Sequence, residues 1–175
     1  GKGRGMFFAL PTMATADAMF ARAADVVGRM FISPPSVTLA HGRSKLSEKF
    51  REILSTSIGD SDDITCSPWL AETRRRALLA DVGVGTVDQV LLAALPTRFN
   101  TLRHFGLSSK ILIVDEVHEI GQPYMAEVLE QVLRLHRGAG GSAILLTATL
   151  PLELRRRLLA VYDGKAENSL YPALS

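Results

Sequence analysis

The residues with the most distinctive chemistry in this sequence are two adjacent carboxylates, Asp115 and Glu116, followed two positions later by His118. They come directly after the apolar run 111–114, which is typical of a buried strand. Adjacent carboxylates at such a strand end repel each other and lose hydration, a conflict that a bound magnesium ion and a water relieve. In a nucleotide hydrolase, Asp115 holds the Mg²⁺ ion or its waters, while Glu116 orients and polarises the attacking water. The alternative is that both acids cap the next helix, but the apolar run and the histidine favour the catalytic interpretation.

A second polar segment, Thr147-Ala148-Thr149, follows the apolar run 144–146 in the same way. Its hydroxyls can donate to or accept from an imidazole, and His118 is the candidate partner at the tip of the neighbouring strand. The alternative is a turn that caps the helix starting near Pro151. Because the segment comes one strand after the acidic pair, the first interpretation is favoured.

These polar groups need a framework that brings strand ends together, and the apolar pattern predicts one. Short apolar runs predict strands at 6–10, 37–40, 82–85, 110–114 and 143–146. Apolar residues at helical spacing predict helices at 14–30, 47–54, 87–95, 125–136 and 152–162, and the polar stretch 55–67 is predicted to be a mobile loop. This alternation indicates an α/β doubly wound domain with a mainly parallel sheet. Such sheets bind ligands outside the carboxyl ends of their strands, where the polar segments lie.

The composition is that of a globular chain of about one domain. It has 175 residues, of which 47% are hydrophobic and 22% charged. No run reaches the length of a membrane span or forms a signal peptide, and the single Cys66 excludes an internal disulfide or a cysteine zinc site. We therefore expect a soluble, cytoplasmic protein with no membrane partner.

The type of basic residue in this sequence is more informative than its net charge. A net charge of +2 is too small to indicate nucleic-acid binding by itself. Fifteen of the 20 basic residues are arginines, which suit bidentate contacts with phosphate. A genome rich in arginine codons gives the same bias, so both explanations stay open.

Several segments together resemble one known family. Asp115-Glu116-Val117-His118 and Thr147-Ala148-Thr149 resemble motifs II and III of the superfamily 2 DExD/H helicases, and the segment 10–15, Leu-Pro-Thr-Met-Ala-Thr, resembles motif Ia. Gly85-Thr86-Val87-Asp88-Gln89 is similar to the Gly-Thr-x-Asp-Gln signature of the CRISPR-associated helicase–nuclease of type I interference systems. The amino-acid sequences of segments 39–44 and 102–107 also fit that family, so the resemblance extends from Met6 to about Tyr162.

The resemblance implies a role for each matching residue, with ATP and Mg²⁺ as cofactors. Asp115 and Glu116 serve Mg²⁺ binding and water activation. His118, together with Thr147 and Thr149, couples the state of ATP to domain movement. The residues implied to line a track for single-stranded DNA are Pro11, Thr12, Thr15, His41, Gly42, Arg43, Gly85, Thr86 and Gln89. Backbone amides and hydroxyls at such positions contact phosphates without reading sequence, which lets an enzyme move along any strand.

At the level of the whole enzyme, the resemblance implies unwinding and degradation of foreign DNA with 3′ to 5′ polarity. It also implies recruitment by an RNA-guided CRISPR surveillance complex.

The sequence departs from the family pattern in three ways. It has no Gly-x-x-x-x-Gly-Lys-Ser/Thr phosphate-binding loop, no His-Asp dipeptide of the nuclease domain, and too little chain for a second RecA-like domain. We therefore expect residues 1–175 to form a partial RecA-like helicase domain, incomplete on its N-terminal side, with motifs Ia, Ib, Ic, II and III. Alone it is expected to be inactive, its partners being the nuclease domain and the second RecA-like domain. We also expect the lack of the strand before the phosphate loop to leave two inner strands with unpaired edges.

Two other functions stay open at this stage. One is a superfamily 2 ATPase of another system, such as the translocase of a restriction system. The other is a non-catalytic helicase relic that only binds DNA or a partner.

Overall fold

The computed structural model describes residues 4–27, 29–32, 35–41, 70 and 76–165. In this part of the chain, five strands form one sheet in which every pairing is parallel. In chain order the strands are β1 Gly5–Leu10, β2 Val37–Ala40, β3 Val82–Thr86, β4 Lys110–Val114 and β5 Ser142–Leu145. Their order across the sheet is β2-β3-β1-β4-β5, so the predicted α/β fold class is confirmed.

Five α-helices accompany the sheet in the described residues. They are α1 Met13–Val27, α2 Val87–Leu91, α3 Asn100–Ser108, α4 Pro123–Gly138 and α5 Leu152–Ala160. Two short 3₁₀ segments, Arg76–Leu79 and Val117–Ile120, are also present. None of the helices in this part of the chain is long and apolar enough to cross a membrane.

Successive residues of the central strand β1 belong to different apolar cores, because side chains alternate between the faces of a strand. Phe7 and Ala9 are fully buried in a cluster that also contains Leu129 of α4. Leu10 belongs to a second cluster, together with Phe20 of α1. The sheet is therefore covered on both faces, as a doubly wound domain requires.

All five predicted strands exist, within one residue of the expected bounds, because each is a short apolar run. Helix α1 ends three residues earlier than predicted, and α2 ends at Leu91 rather than at 95. Helix α3 was not predicted, since it contains Gly106 in its last turn and few buried apolar residues. The predicted helix 47–54 and the predicted loop 55–67 lie outside the described residues.

The expectation of two inner strands with unpaired edges is wrong. Strand β1 pairs with β3 and with β4, and each of these two also pairs with an outer neighbour. The pairing is continuous across the described sheet, so only the outer strands β2 and β5 have a free side. At the β5 side, Ile144 and Leu146 are each 47% exposed.

Candidate functional site

The carboxyl ends of the five strands meet at one edge of the sheet, because all of the strands are parallel. Residues placed at this edge are Pro11 and Thr12 after β1, His41 after β2, Thr86 at the end of β3, Asp115 and Glu116 after β4, and Thr147 two residues after β5. The edge collects the residues that the sequence singled out, and it is where open parallel sheets bind ligands.

The backbone holds the acidic pair in a fixed geometry. The amide of Asp115 donates to the carbonyl of Ala9 at 2.9 Å, which extends the pairing of β4 with β1. The amide of Glu116 then donates to Oδ1 of Asp115 at 3.0 Å. Glu116 has φ 52° and ψ 48°, the left-handed region that costs a non-glycine residue about 1–3 kcal/mol. This conformation turns the chain sharply from β4 into the segment Val117–Ile120.

His118 joins the acidic pair to the polar segment after β5. Its Nδ1 atom lies 3.2 Å from Oε2 of Glu116 and 3.3 Å from Oγ1 of Thr147. The Thr147 hydroxyl donates to the carbonyl of Thr149 at 2.8 Å, so its oxygen acts as an acceptor towards the imidazole. Nδ1 of His118 therefore lies within reach of both a carboxylate and a hydroxyl, and the expected contact between His118 and Thr147 is present.

The acidic pair is open to ligands. The side chains of Glu116 and His118 are 42% and 37% exposed. No cluster of three or more His, Cys, Asp or Glu side chains that could hold a metal occurs in the described part of the chain. Mg²⁺ in nucleotide sites is bound by one or two carboxylates, with waters and phosphates completing its shell. The donor set here, centred on Asp115, fits a Mg²⁺ ion that arrives with a nucleotide.

The two threonines after β1 start helix α1 by capping each other. The amide of Thr12 donates to Oγ1 of Thr15 at 3.2 Å, and the amide of Thr15 donates to Oγ1 of Thr12 at 3.1 Å. The Thr15 hydroxyl donates in turn to the carbonyl of Thr12 at 2.9 Å. This reciprocal arrangement satisfies amides that a helix leaves unpaired at its first turn. Both side chains stay exposed at the sheet edge, next to the half-buried Pro11.

His41 lies at the same edge but is buried, with 1% of its surface exposed. Its Nε2 atom is 3.0 Å from Oδ1 of Asp17, so the imidazole ties the end of β2 to helix α1. The neighbouring Gly42 and Arg43, also expected along the DNA track, lie outside the described residues.

The residues expected along the DNA track at the end of β3 are also buried. A Cβ atom at Gly85 would lie 2.4 Å from the carbonyl oxygen of Ala40, so sheet packing alone requires glycine here. Thr86 is 7% exposed and Gln89 5% exposed. The Gln89 side chain accepts a hydrogen bond from Nη1 of Arg103 at 3.0 Å.

Two residues that sequence reasoning missed therefore support the site: Asp17 behind His41, and Arg103 behind Gln89. Each lies on a helix far along the chain from its partner, and no local pattern links the two members of a pair. The only signal for Arg103 is its place in a segment that resembles the helicase family.

The strongest shifts of pKa occur at the opposite edge of the sheet. Burial lowers the pKa of Lys110 to about 8, against a smaller opposing effect of Asp81. Burial also lowers the pKa of His136 and raises that of Tyr162 to about 12. His136 Nδ1 lies 3.0 Å from the Tyr162 hydroxyl, and its Nε2 lies 3.0 Å from the carbonyl of Lys110. These groups link the start of β4 to helix α4 and to the turn after α5, away from the acidic pair.

The parallel sheet and the acidic pair bridged to Thr147 define a RecA-like helicase domain, and solved structures agree with that class. The crystal structure of T. fusca Cas3–AMPPNP matches 90% of this chain with a TM-score of 0.76 and 37% identity, over 17% of its own length. A chain of a pre-nicking CRISPR RNA-guided surveillance complex matches 96% of this chain with a TM-score of 0.58 and 32% identity, over 15% of its length.

The sequence comparisons identify the family. No protein-family model matches the chain. The CRISPR-associated endonuclease/helicase Cas3 of Escherichia coli (strain K12) is 39% identical over 178 residues, which covers 97% of this chain and 20% of that protein. The chain belongs to the family of Cas3 helicase–nucleases and spans about a fifth of the length of the curated relative that it matches.

Proposed function

We propose that this chain is the part of an ATP-dependent, single-stranded DNA helicase that supplies the acidic half of the ATP site. The intact enzyme unwinds foreign DNA and helps to degrade it in type I CRISPR interference. The observation that carries this proposal is the position of Nδ1 of His118, which lies 3.2 Å from Oε2 of Glu116 and 3.3 Å from Oγ1 of Thr147 and so joins two strand ends. A pair of acids that only capped a helix would not need this link.

The residues of the acidic pair have separate tasks. Asp115, whose Oδ1 is oriented by the amide of Glu116, would hold a magnesium ion that arrives with ATP, or the waters of that ion. The ion would supply positive charge against the charge that builds up on the phosphates. Glu116 orients the attacking water and takes up its proton.

The link through His118 gives a route from the ATP site to movement of the domain. A change at the Glu116 carboxylate alters the contact of His118 Nδ1 with Thr147. The hydroxyl of Thr147 in turn holds the carbonyl of Thr149. Because Pro151 precedes helix α5 directly, a shift of this segment moves the start of α5.

The DNA track is proposed to run along the carboxyl edge of the sheet. The exposed Thr12 and Thr15, together with Pro11, can contact phosphates directly. The buried residues His41, Gly85, Thr86 and Gln89 support the track from below. Gly42 and Arg43 are proposed as further contacts on the family resemblance. Movement along this track is proposed to be 3′ to 5′.

The remaining parts of the ATP site are proposed to come from outside residues 1–175. The sequence contains no phosphate-binding loop, and β5 has a free outer side with exposed Ile144 and Leu146. Such an edge suits pairing with a further strand. A second RecA-like domain and a nuclease domain complete the enzyme, which acts in the cytoplasm with an RNA-guided surveillance complex. Residues 1–175 alone are expected to be inactive.

The test is ATP turnover stimulated by single-stranded DNA, measured on the enzyme that contains this segment. Asp115→Asn and Glu116→Gln should each lower turnover by about 100-fold or more, as expected for loss of a metal ligand or a general base. Glu119→Gln is the matched control, because Glu119 is an exposed acid three positions further along. Retained turnover in the first two variants would contradict the assignment, and DNA binding that never depends on nucleotide would indicate a non-catalytic relic.

A further inference from the structure

Helix α2 starts at the carboxyl end of β3, directly behind Gly85 and Thr86, and is only five residues long. Its last turn tightens, because the amide of Ala93 donates to the carbonyl of Val90 rather than to that of Gln89. The carbonyl of Gln89 is therefore left without the partner that a continuing α-helix gives it. Gln89 is 5% exposed, so this carbonyl needs a partner from within the protein.

Arg103 of α3 supplies that partner. Its Nη1 atom lies 3.3 Å from the carbonyl oxygen of Gln89 and 3.0 Å from the Oε1 atom of the same residue. The two hydrogens on Nη1 can serve both oxygens at once. Since a guanidinium only donates, the contact fixes the Gln89 amide with its oxygen towards Arg103 and its nitrogen turned away.

The helix that carries Arg103 is a rigid support. A Cβ atom at Gly106 would lie 2.7 Å from the carbonyl oxygen of Leu78, so α3 packs with its backbone against the segment Arg76–Leu79. The Lys110 ammonium donates to the carbonyls of Leu78 and Gly106 and ties the same two segments together. Arg103 itself is 8% exposed, so its guanidinium has little freedom to move.

Apolar packing alone does not fix α2 in this way. Val90 and Leu91 bury the helix against the core, but contacts between apolar side chains have no fixed direction. The two hydrogen bonds from Nη1 of Arg103 are directional, and they fix both the end of α2 and the orientation of one side chain.

We propose that Arg103 is a positioning residue for DNA binding: through Gln89 it holds α2, and with it the Gly85–Thr86 end of β3, in the geometry that engages single-stranded DNA. This proposal rests on the proposed function. Gln89 then acts as the receiver of the Arg103 contact, and its amide nitrogen need not touch DNA.

The test uses the enzyme that contains this segment and measures ATP turnover as a function of single-stranded DNA concentration. Arg103→Met should raise the DNA concentration for half-maximal stimulation about tenfold, which corresponds to about 1.4 kcal/mol. The maximal turnover should stay within about twofold, because ATP hydrolysis at Glu116 is not touched. A residue needed only for folding would instead lower the maximal turnover through loss of active enzyme.

Two further variants test whether Arg103 affects DNA binding through its contact with Gln89. Gln89→Leu removes the Oε1 contact but keeps the contact of Arg103 with the carbonyl of residue 89, so it should raise the half-maximal DNA concentration by less than Arg103→Met does. The double variant should match Arg103→Met, because that substitution already removes both contacts. Gln89→Glu keeps two oxygens for Arg103 and should retain near-normal DNA stimulation. A loss of stimulation in Gln89→Glu would mean that the amide nitrogen contacts DNA itself, and would overturn the proposal.

The controls cover folding and the proposed function. Arg134→Met removes an exposed arginine paired with Glu130 and should leave DNA stimulation unchanged. If Arg103→Met does not fold, Arg103→Lys keeps the charge on a side chain that is one bond too short to place its nitrogen at the position of Nη1, and should raise the half-maximal DNA concentration at least about threefold. An unchanged value in the folded variant would overturn the proposal. Glu116→Gln separates failure of the proposed function from failure of the positioning role. If Glu116→Gln retains ATP turnover, the proposed function is wrong. If Glu116→Gln is inactive and the Arg103 variant has unchanged DNA stimulation, only the positioning role of Arg103 is wrong.

Discussion

The buried amine of Lys110 should make this chain more stable as the pH rises from about 8 to about 9.5. Lys110 lies at the start of β4, is 4% exposed, and donates to the carbonyls of Leu78 and Gly106. Burial lowers its pKa from 10.5 to about 8, against the opposing effect of Asp81. The perturbation is the substitution Lys110→Met, which removes the titrating group and keeps most of the side-chain volume.

The sign follows from proton binding in the two states. Below about pH 8 the amine is protonated in both the folded and the unfolded chain, so it adds no pH dependence. Between about pH 8 and 10.5 the unfolded chain binds more protons, so the free energy of unfolding rises with pH. The full pKa difference corresponds to about 3 kcal/mol, of which about 1.5 kcal/mol falls between pH 8 and 9.5.

The assay is urea unfolding followed by circular dichroism at constant ionic strength. The chain should gain about 1.5 kcal/mol across this interval, whereas Lys110→Met should show no gain. Lys165→Met, which removes an exposed lysine, should behave like the unchanged chain. Tyr162 opposes the trend only above about pH 10, because burial raises its pKa to about 12. A flat profile for the unchanged chain, or a rising one for Lys110→Met, would refute the assignment.

Two further predictions concern packing and coupling. Gly85→Ala should lower the free energy of unfolding by about 1–3 kcal/mol in urea titrations, because its Cβ would lie 2.4 Å from the Ala40 carbonyl oxygen. Gly138→Ala, which meets nothing within 4 Å, should instead be neutral or stabilise by up to about 1 kcal/mol; equal effects would contradict the packing argument. In the enzyme that contains this segment, Thr147→Val should reduce DNA stimulation of ATP turnover about tenfold and preserve the unstimulated rate, since the hydroxyl that receives His118 is lost. An unchanged stimulation ratio would exclude coupling through this pair.

The sheet was predictable from sequence because each strand is a short apolar run with a polar end. The order of the strands across the sheet was not predictable, because it depends on which apolar runs pair with each other. The unpaired edges expected at two inner strands do not occur. Helix α3 was missed for a physical reason. Its Gly106 lowers helix propensity, but close backbone packing against Leu78 requires that glycine.

The local chemistry of the site was predictable to a similar degree. The pairing of His118 with Thr147 followed from two motifs at neighbouring strand ends. The partners of His41 and Gln89 did not, because Asp17 and Arg103 come from helices whose placement depends on the whole fold. Burial of these two polar residues is likewise a tertiary property, which the family pattern alone does not give.

The measurement that tests the central claim most directly is ATP-driven unwinding of a duplex with a 3′ single-stranded tail by the enzyme that contains this segment. The unchanged enzyme and Glu119→Gln should separate the strands at similar rates. Glu116→Gln should still bind the tail but separate no strands, because hydrolysis at the acidic pair drives the movement. Unwinding by Glu116→Gln at the rate of the unchanged enzyme would contradict the assignment of this site as half of a helicase ATP site.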